Sequence, residues 1–294
     1  MLRRFVMAFF LGVYSFAAFA VAPYISADKV RPGKLKEVVE AVEAKLSGAG
    51  FQVLASYQPK GLSGHGVVVV TDEAMLAKVR ELGGANIIAA PIRVGVAADG
   101  SVSYMNPDYW YRAYFRNRYP QAETAVRALQ TRLAKALGAG RGFGGDEAAD
   151  FLPKYQYMVG MERFDSSKNL LAVHDSFDDA VRTVRDNLAR EKAEVSKVYE
   201  IVMPEKKIAV FGVGLNSLTT GDAVWISKIG VQERIAALPY EMFVVNDEVY
   251  ALFGRYRLAL ALPDLSMGHF LRIVYAPEDI RHMLIAVANG PKKD

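Results

Sequence analysis

The sequence predicts an α/β chain of the α+β type: two tandem copies of a compact domain, each an antiparallel sheet packed by helices, closed on each other as an intrachain pseudo-dimer. Three observations predict it. The 294 residues suffice for two domains, at about 100–200 residues each. Apolar residues at 52% against 23% charged supply material for packed cores and give no compositional case for disorder. One order of elements (helix, strand, strand, a hairpin after an Ala-x-Pro step, then helix) occurs twice, about 148 residues apart. Two such copies point to duplication rather than to a short-period solenoid.

The chain opens with Arg3-Arg4 and an uncharged run over residues 5–22, with Ala18 and Ala20 framing Phe19. A basic start, an apolar stretch and an A-x-A site are what a secretory signal needs, so residues 1–22 read as a signal peptide cut near Ala20. Uncut, about 18 residues would rise roughly 27 Å as a helix, enough for an N-terminal membrane anchor. A buried soluble helix is the third reading. Either of the first two places the body in the periplasm, free or anchored to the inner membrane, with membrane contact only through residues 1–22 if uncleaved. The chain has no cysteine, which excludes thiol catalysis, zinc–thiolate sites, iron–sulfur clusters and c-type haem attachment. Two of the four net positive charges are Arg3 and Arg4. The near-neutral remainder argues against nucleic acid as a partner.

The first domain is expected over 34–137. Leu35, Val38, Val39, Val42 and Leu46 recur at helical spacing before Gly48 and Gly50. Alternation predicts strands over 51–57 and 66–70, then a short helix capped by Thr71 and ended by Gly83-Gly84. Ala89-Ala90-Pro91 leads into a strand through Val96, and Asp99-Gly100 turns it into 102–105 as a hairpin. Asn106-Pro107 reads as N-cap and first-turn proline of a helix through the aromatic stretch 109–119. Its pattern buries Trp110, Ala113 and Tyr114 and leaves Arg112, Arg116 and Arg118 to solvent. Glycines from Gly138 to Gly145 open a joint, so 138–170 is expected to be a linker and connecting segment. The second domain is expected over 171–290, with a helix capped by Ser176, strands over 195–202 and 208–215, and a hairpin after Ala237-Leu238-Pro239 that turns at Asn246-Asp247.

Gly50-Phe51-Gln52-Val53, the strand from Ala90 to Val96 with its Asp-Gly turn, and Tyr104-Met105-Asn106-Pro107-Asp108-Tyr109 together resemble the bacterial domain-of-unknown-function 302 family. In the second copy the likeness rests on the segment from Ile208 to Gly212 and on Ala237-Leu238-Pro239-Tyr240-Glu241. The resemblance implies an antiparallel sheet with helices against it, in a family whose members pair as dimers. It carries over no catalytic residue. The second copy departs by lacking the Asn-Pro after its hairpin.

Chemistry-bearing motifs are few. The four histidines show no metal-ligand spacing. The 138–145 glycines follow a helix rather than a strand, and Gly212 and Gly214 in a strand read as a bulge or close backbone approach. No serine lies in a nucleophile elbow. Glu241 on one hairpin strand, with Arg255 and Arg257 beyond the other, forms either an ion pair or an anion pocket. Arg93 occupies the position matching Glu241, so opposite charges are expected to meet at the interface between copies. The function expected is non-catalytic binding of a small molecule or an envelope protein between the repeats. Its expected liners are Arg93, Tyr104, Tyr109, Trp110, Tyr240, Glu241, Arg255 and Arg257. No cofactor is expected in that reading. The alternative is a redox protein holding copper or haem through Met158, Met161, Met267, His269, His282 and Met283.

Overall fold

The structure, a computed structural model, describes residues 19–289. In chain order it runs β1 (Ala20–Val21), β2 (Tyr24–Ser26), α1 (Leu35–Gly48), β3 (Gln52–Tyr57), β4 (His65–Thr71), α2 (Glu73–Leu82), β5 (Ile92–Ala97), β6 (Val102–Met105), α3 (Pro107–Phe115), α4 (Tyr119–Leu137), β7 (Gly142–Phe143) and β8 (Glu147–Ala148). It continues with β9 (Leu170–Val173), α5 (Phe177–Ala189), β10 (Val195–Met203), β11 (Ile208–Leu215), α6 (Asp222–Ile229), β12 (Tyr240–Val245), β13 (Glu248–Tyr250), α7 (Gly254–Ala261), α8 (Met267–Arg272) and α9 (Ala276–Ala288). The fold is mixed α/β, and every strand pair is antiparallel.

Two larger sheets carry the same order of strands. The first runs β3-β4-β5-β6-β2-β7 and the second β10-β11-β12-β13-β9. In each, the strand before the first helix returns to the far side of the hairpin. Register agrees as well: Ala55, Val69 and Arg93 face one another in the first sheet, and Tyr199, Gly212 and Glu241 in the second. Each outer strand bulges just before this row, between Val53 and Ala55 and between Lys197 and Tyr199. The close approach expected at two strand glycines is present, since the Tyr199 ring lies over Gly212 and the Tyr57 ring over Gly214.

Helical spacing places Val38, Val42 and Leu46 of α1 and Val181, Val184 and Leu188 of α5 against the core. Ser176 caps α5 by accepting from the Asp179 amide. α2 is capped by Asp72 rather than Thr71. Thr71 ends β4 and donates its hydroxyl to the Ala90 carbonyl at 2.9 Å, while Asp72 accepts from Met75 N at 2.9 Å. The helix expected through 119 breaks at Arg116, where φ is 53°, and α4 starts anew at Tyr119. Trp110, Ala113 and Tyr114 are buried as their spacing predicts.

The 138–145 glycines form edge structure rather than a joint. Gly142–Phe143 pair with β2, Gly140 N donates to the Ser26 carbonyl at 2.9 Å, and Gly138 O accepts from Tyr104 Oη at 3.1 Å. A Cβ on Gly140 would sit 2.6 Å from that Ser26 oxygen, so glycine there permits close approach. Residues 1–18 of the expected export segment lie outside the described residues. Ala20 and Val21 belong to the body, pairing with Ala148 and Glu147. Among the described residues no helix is long and apolar enough to cross a membrane.

The halves embrace reciprocally. The 3₁₀ turn Gly84–Ala89 packs on β11 and β12, and its counterpart Gln232–Ala237 packs on β4, β5 and β6. Each turn leads directly into its own Pro-preceded strand, so the same segment that starts a hairpin also clasps the other half.

Candidate functional site

At the centre of this seam Arg93 from β5 pairs with Glu241 from β12, and both are fully buried. Arg93 Nε also donates to the Ala236 carbonyl at 3.0 Å. Arg257 donates to the same carboxylate at 3.2 Å and to the Ala237 carbonyl at 2.7 Å. The two guanidinium groups lie 4.6 and 4.9 Å from the Trp110 ring centre, within cation–π range. Burial opposes the charge on both arginines. The adjacent carboxylate outweighs it and holds both pKa values above that of a free arginine. The meeting of opposite charges expected between the copies is therefore what the seam contains.

The partner of Glu241 is Arg257 and not Arg255. Residues 255 and 257 lie on helix α7, where two positions differ by about 200° around the axis. Arg255 accordingly points away and pairs with Glu162 at 2.7 and 3.0 Å. This guanidinium, helped by Lys168, lowers the Glu162 carboxyl to about 2.

The remaining expected liners are buried too, but only Tyr109 bonds across the seam, while Tyr104 and Tyr240 bond within their own halves. Tyr109 donates to Leu260 O at 2.8 Å, Tyr104 to Gly138 O, and Tyr240 to Leu252 O. Arg93, Tyr104, Tyr109, Trp110, Tyr240, Glu241 and Arg257 are all 2% exposed or less. Arg93, Tyr109, Trp110, Glu241 and Arg257 belong to the core between the halves, Tyr104 and Tyr240 to the far faces of their own sheets, and none of the seven lines the groove described below. A second polar contact bridges the halves: Tyr57 donates to Asp222 Oδ2 at 2.7 Å, which also accepts from Leu215 N at 3.0 Å. Burial pushes the Asp222 carboxyl up to about 6 against these hydrogen bonds.

The six residues of the copper or haem reading lie on separate stretches of the chain. Met158 and Met161 lie in the segment before β9, Met267 and His269 on α8, and His282 and Met283 on α9. His269 Nδ1 lies 3.2 Å from the Ser266 hydroxyl, and Thr220 points at the Met283 sulfur. Among the described residues no group of three or more His, Asp or Glu is placed to hold a metal ion.

Beside the buried seam a groove of about 950 Å³ opens between the halves. Its floor is the seam-facing side of the first sheet, with Gly95, Ala97, Ser101, Ser103 and Ser26, and Ala98 lines its wall just past the end of β5. The Gln232–Ala237 turn supplies Gln232, Glu233 and Ile235 from the other half, and the ends are Leu62 to His65 and Arg141 with Phe143. Ser103 is 8% exposed and lines the groove floor. The carboxylates at the rim are engaged: Asp99 by Ser101 and Lys29, and Glu233 by Arg234. Arg141 has no ion pair among the described residues and stands exposed at the rim. The amino-acid pattern carried one signal for this place, a glycine inside an alternating strand. A Cβ on Gly95 would lie 2.7 Å from Ile235 and 3.1 Å from Ala236 N, so the clasping turn needs it bare.

Comparison of the chain with protein-family models, with curated proteins and with solved structures gives no match.

Proposed function

We propose that this chain is a non-catalytic binding protein that takes a small molecule in the groove beside the seam. The observation that carries this reading is the groove itself, lined from both halves and floored by small side chains. Clefts where two units meet are the common place for ligand sites, and a few polar groups in a largely apolar wall are their usual chemistry. The two halves are read as copies of one domain, which their shared strand order and matching bulges support. On this reading the resemblance to the domain-of-unknown-function 302 family extends to both halves. The basic start and the apolar run after it favour work in the cell envelope.

Native followed by denaturing mass spectrometry of the full chain, taken from an expressing cell, tests the reading. The native mass should exceed the polypeptide mass by one small molecule, and Ala98→Trp, which fills the groove wall, should remove the excess. An excess that survives Ala98→Trp would overturn the assignment.

A further inference from the structure

Four large apolar side chains stand in solvent on one short stretch of chain. α8 and the turn that joins it to α9 hold Met267, Leu271, Val274 and Tyr275 outward, each between 40% and 77% exposed, while Ile273 and Ala276 beside them are buried. Met267 and Leu271 lie one turn apart on the same face of α8. The repeated fold does not call for this helix, since the first half joins the corresponding helices, α3 and α4, through Arg116, Asn117 and Arg118 alone. Arg272 and Lys228 flank Tyr275 at a notch that holds one acid, Asp279.

The apolar run at the start of the chain ends close to this patch. Phe19 O accepts from Ala149 N at 2.9 Å, and Ala20 and Val21 pair with Ala148 and Glu147. Four residues before Ala149, at most about 14 Å of chain, Gly145 packs on Pro263 and Asp264 just ahead of α8. A Cβ on Gly145 would lie 2.9 Å from the Asp264 amide nitrogen.

We infer that residues 5–18 stay on the chain and enter a bilayer, and that α8 lies against the same lipid surface as a second contact. Three observations carry this. Ala20 and Val21, the two sides of the bond at which a signal would be cut, belong to one paired strand, and Val21 is buried, so the folded body uses what cutting would divide. Residues 5–18 are uncharged, and as a helix they would rise roughly 21 Å, less than the about 30 Å of hydrocarbon. The body begins at Phe19 with no spacer after that run, so such a segment draws it down onto the headgroups. The exposed patch has the composition of an interfacial surface: aliphatic side chains and a tyrosine to lie below the headgroups, with Arg272 and Lys228 at their edge to meet lipid phosphates.

The chain has no cysteine, so a fluorophore can be placed at a single site. Full-length chain carrying bimane on Leu271→Cys is reconstituted with vesicles of phosphatidylcholine and phosphatidylglycerol, with and without nitroxide-bearing lipid. Val173→Cys is the control, an equally exposed site whose neighbour His174 contacts Ala288 O, at the opposite end of α9 from Tyr275. Quenching should be at least about threefold stronger at 271 than at 173, as expected of a side chain seated in the interface. Adding Met267→Asp and Tyr275→Asp should bring the label at 271 down to the control while the chain still floats with the vesicles. Equal quenching at the two sites on vesicle-bound chain would overturn the α8 contact and leave the anchor. Dimers cross-linked through Leu271→Cys, without quenching, would overturn it in favour of a second copy on this face. Chain recovered from cells without residues 1–20, or chain that fails to float with vesicles, would overturn the inference as a whole. The groove is tested separately by its mass excess, which none of these outcomes decides.

Discussion

Glu241 holds two buried guanidinium groups on one carboxylate, and removing its charge would leave both without a counter-ion. Glu241→Gln is expected to cost about 3–5 kcal/mol in urea denaturation, the range for breaking a buried pair from one side. Replacing the three together, Arg93→Met with Glu241→Leu and Arg257→Met, should cost less than that single change, because the desolvation of the charges disappears with them. Asp222 couples stability to pH. Its folded pKa, about 6, lies above the unfolded value of about 3.9, so the folded state holds a proton that the unfolded chain has lost between these values. Its contribution is fully present below pH ~4 and is lost as the pH rises through about 6. Stability measured from pH 4 to 7 should therefore fall more steeply in the natural chain than in Asp222→Asn. Parallel curves for the two would refute the assignment. Glu162, depressed to about 2 by Arg255 and Lys168, acts below this window: its contribution is present above about pH 4 and disappears as the pH falls through 2.

At the scale of elements, the helices with clean spacing, α1 and α5, and the hairpin strands bounded by Asp99-Gly100 and Asn246-Asp247 were legible because their signals are local. β2, β7 and β9 were not, since a strand of two to four residues becomes one only through its partner. The glycines of β7 read as a joint for the same reason: composition reports conformational freedom but not the neighbour that requires it. Gly140→Val should thrust a side chain against the Ser26 main chain. About 1–3 kcal/mol is expected from such overpacking, with faster amide exchange confined to β2 and β7. Uniform protection across the first sheet would contradict it. For the site, matching the two Ala-x-Pro steps already aligned Arg93 with Glu241. The same alignment places Gly95 against Phe243, but what stands beside each, Ser103 or Tyr250 on the neighbouring strand, becomes visible only in the register. Arg255 was misplaced because the sequence reading put both arginines beyond the hairpin strand without assigning an element there, and the helix that forms turns Arg255 away from Arg257.

For the whole molecule, the reciprocal turns and the Arg93–Glu241 pair make each half the natural complement of the other. A twofold pair of first halves would set Arg93 against Arg93 in a dry seam, and a pair of second halves would set Glu241 against Glu241, so like charges discourage either self-pairing. Residues 1–165 and 166–294 produced together as separate chains should associate one to one by native mass spectrometry. Homodimers of either fragment in preference to that complex would argue against the seam as the specificity device. The stacked rings of Phe243 and Tyr250 stand in the second sheet where the first has Gly95 and Ser103, so the two faces are unlike and the groove lies beside the first alone among the described residues. Under the proposed function each chain would then offer one place, and its occupancy would follow concentration as a plain hyperbola rather than a sigmoid.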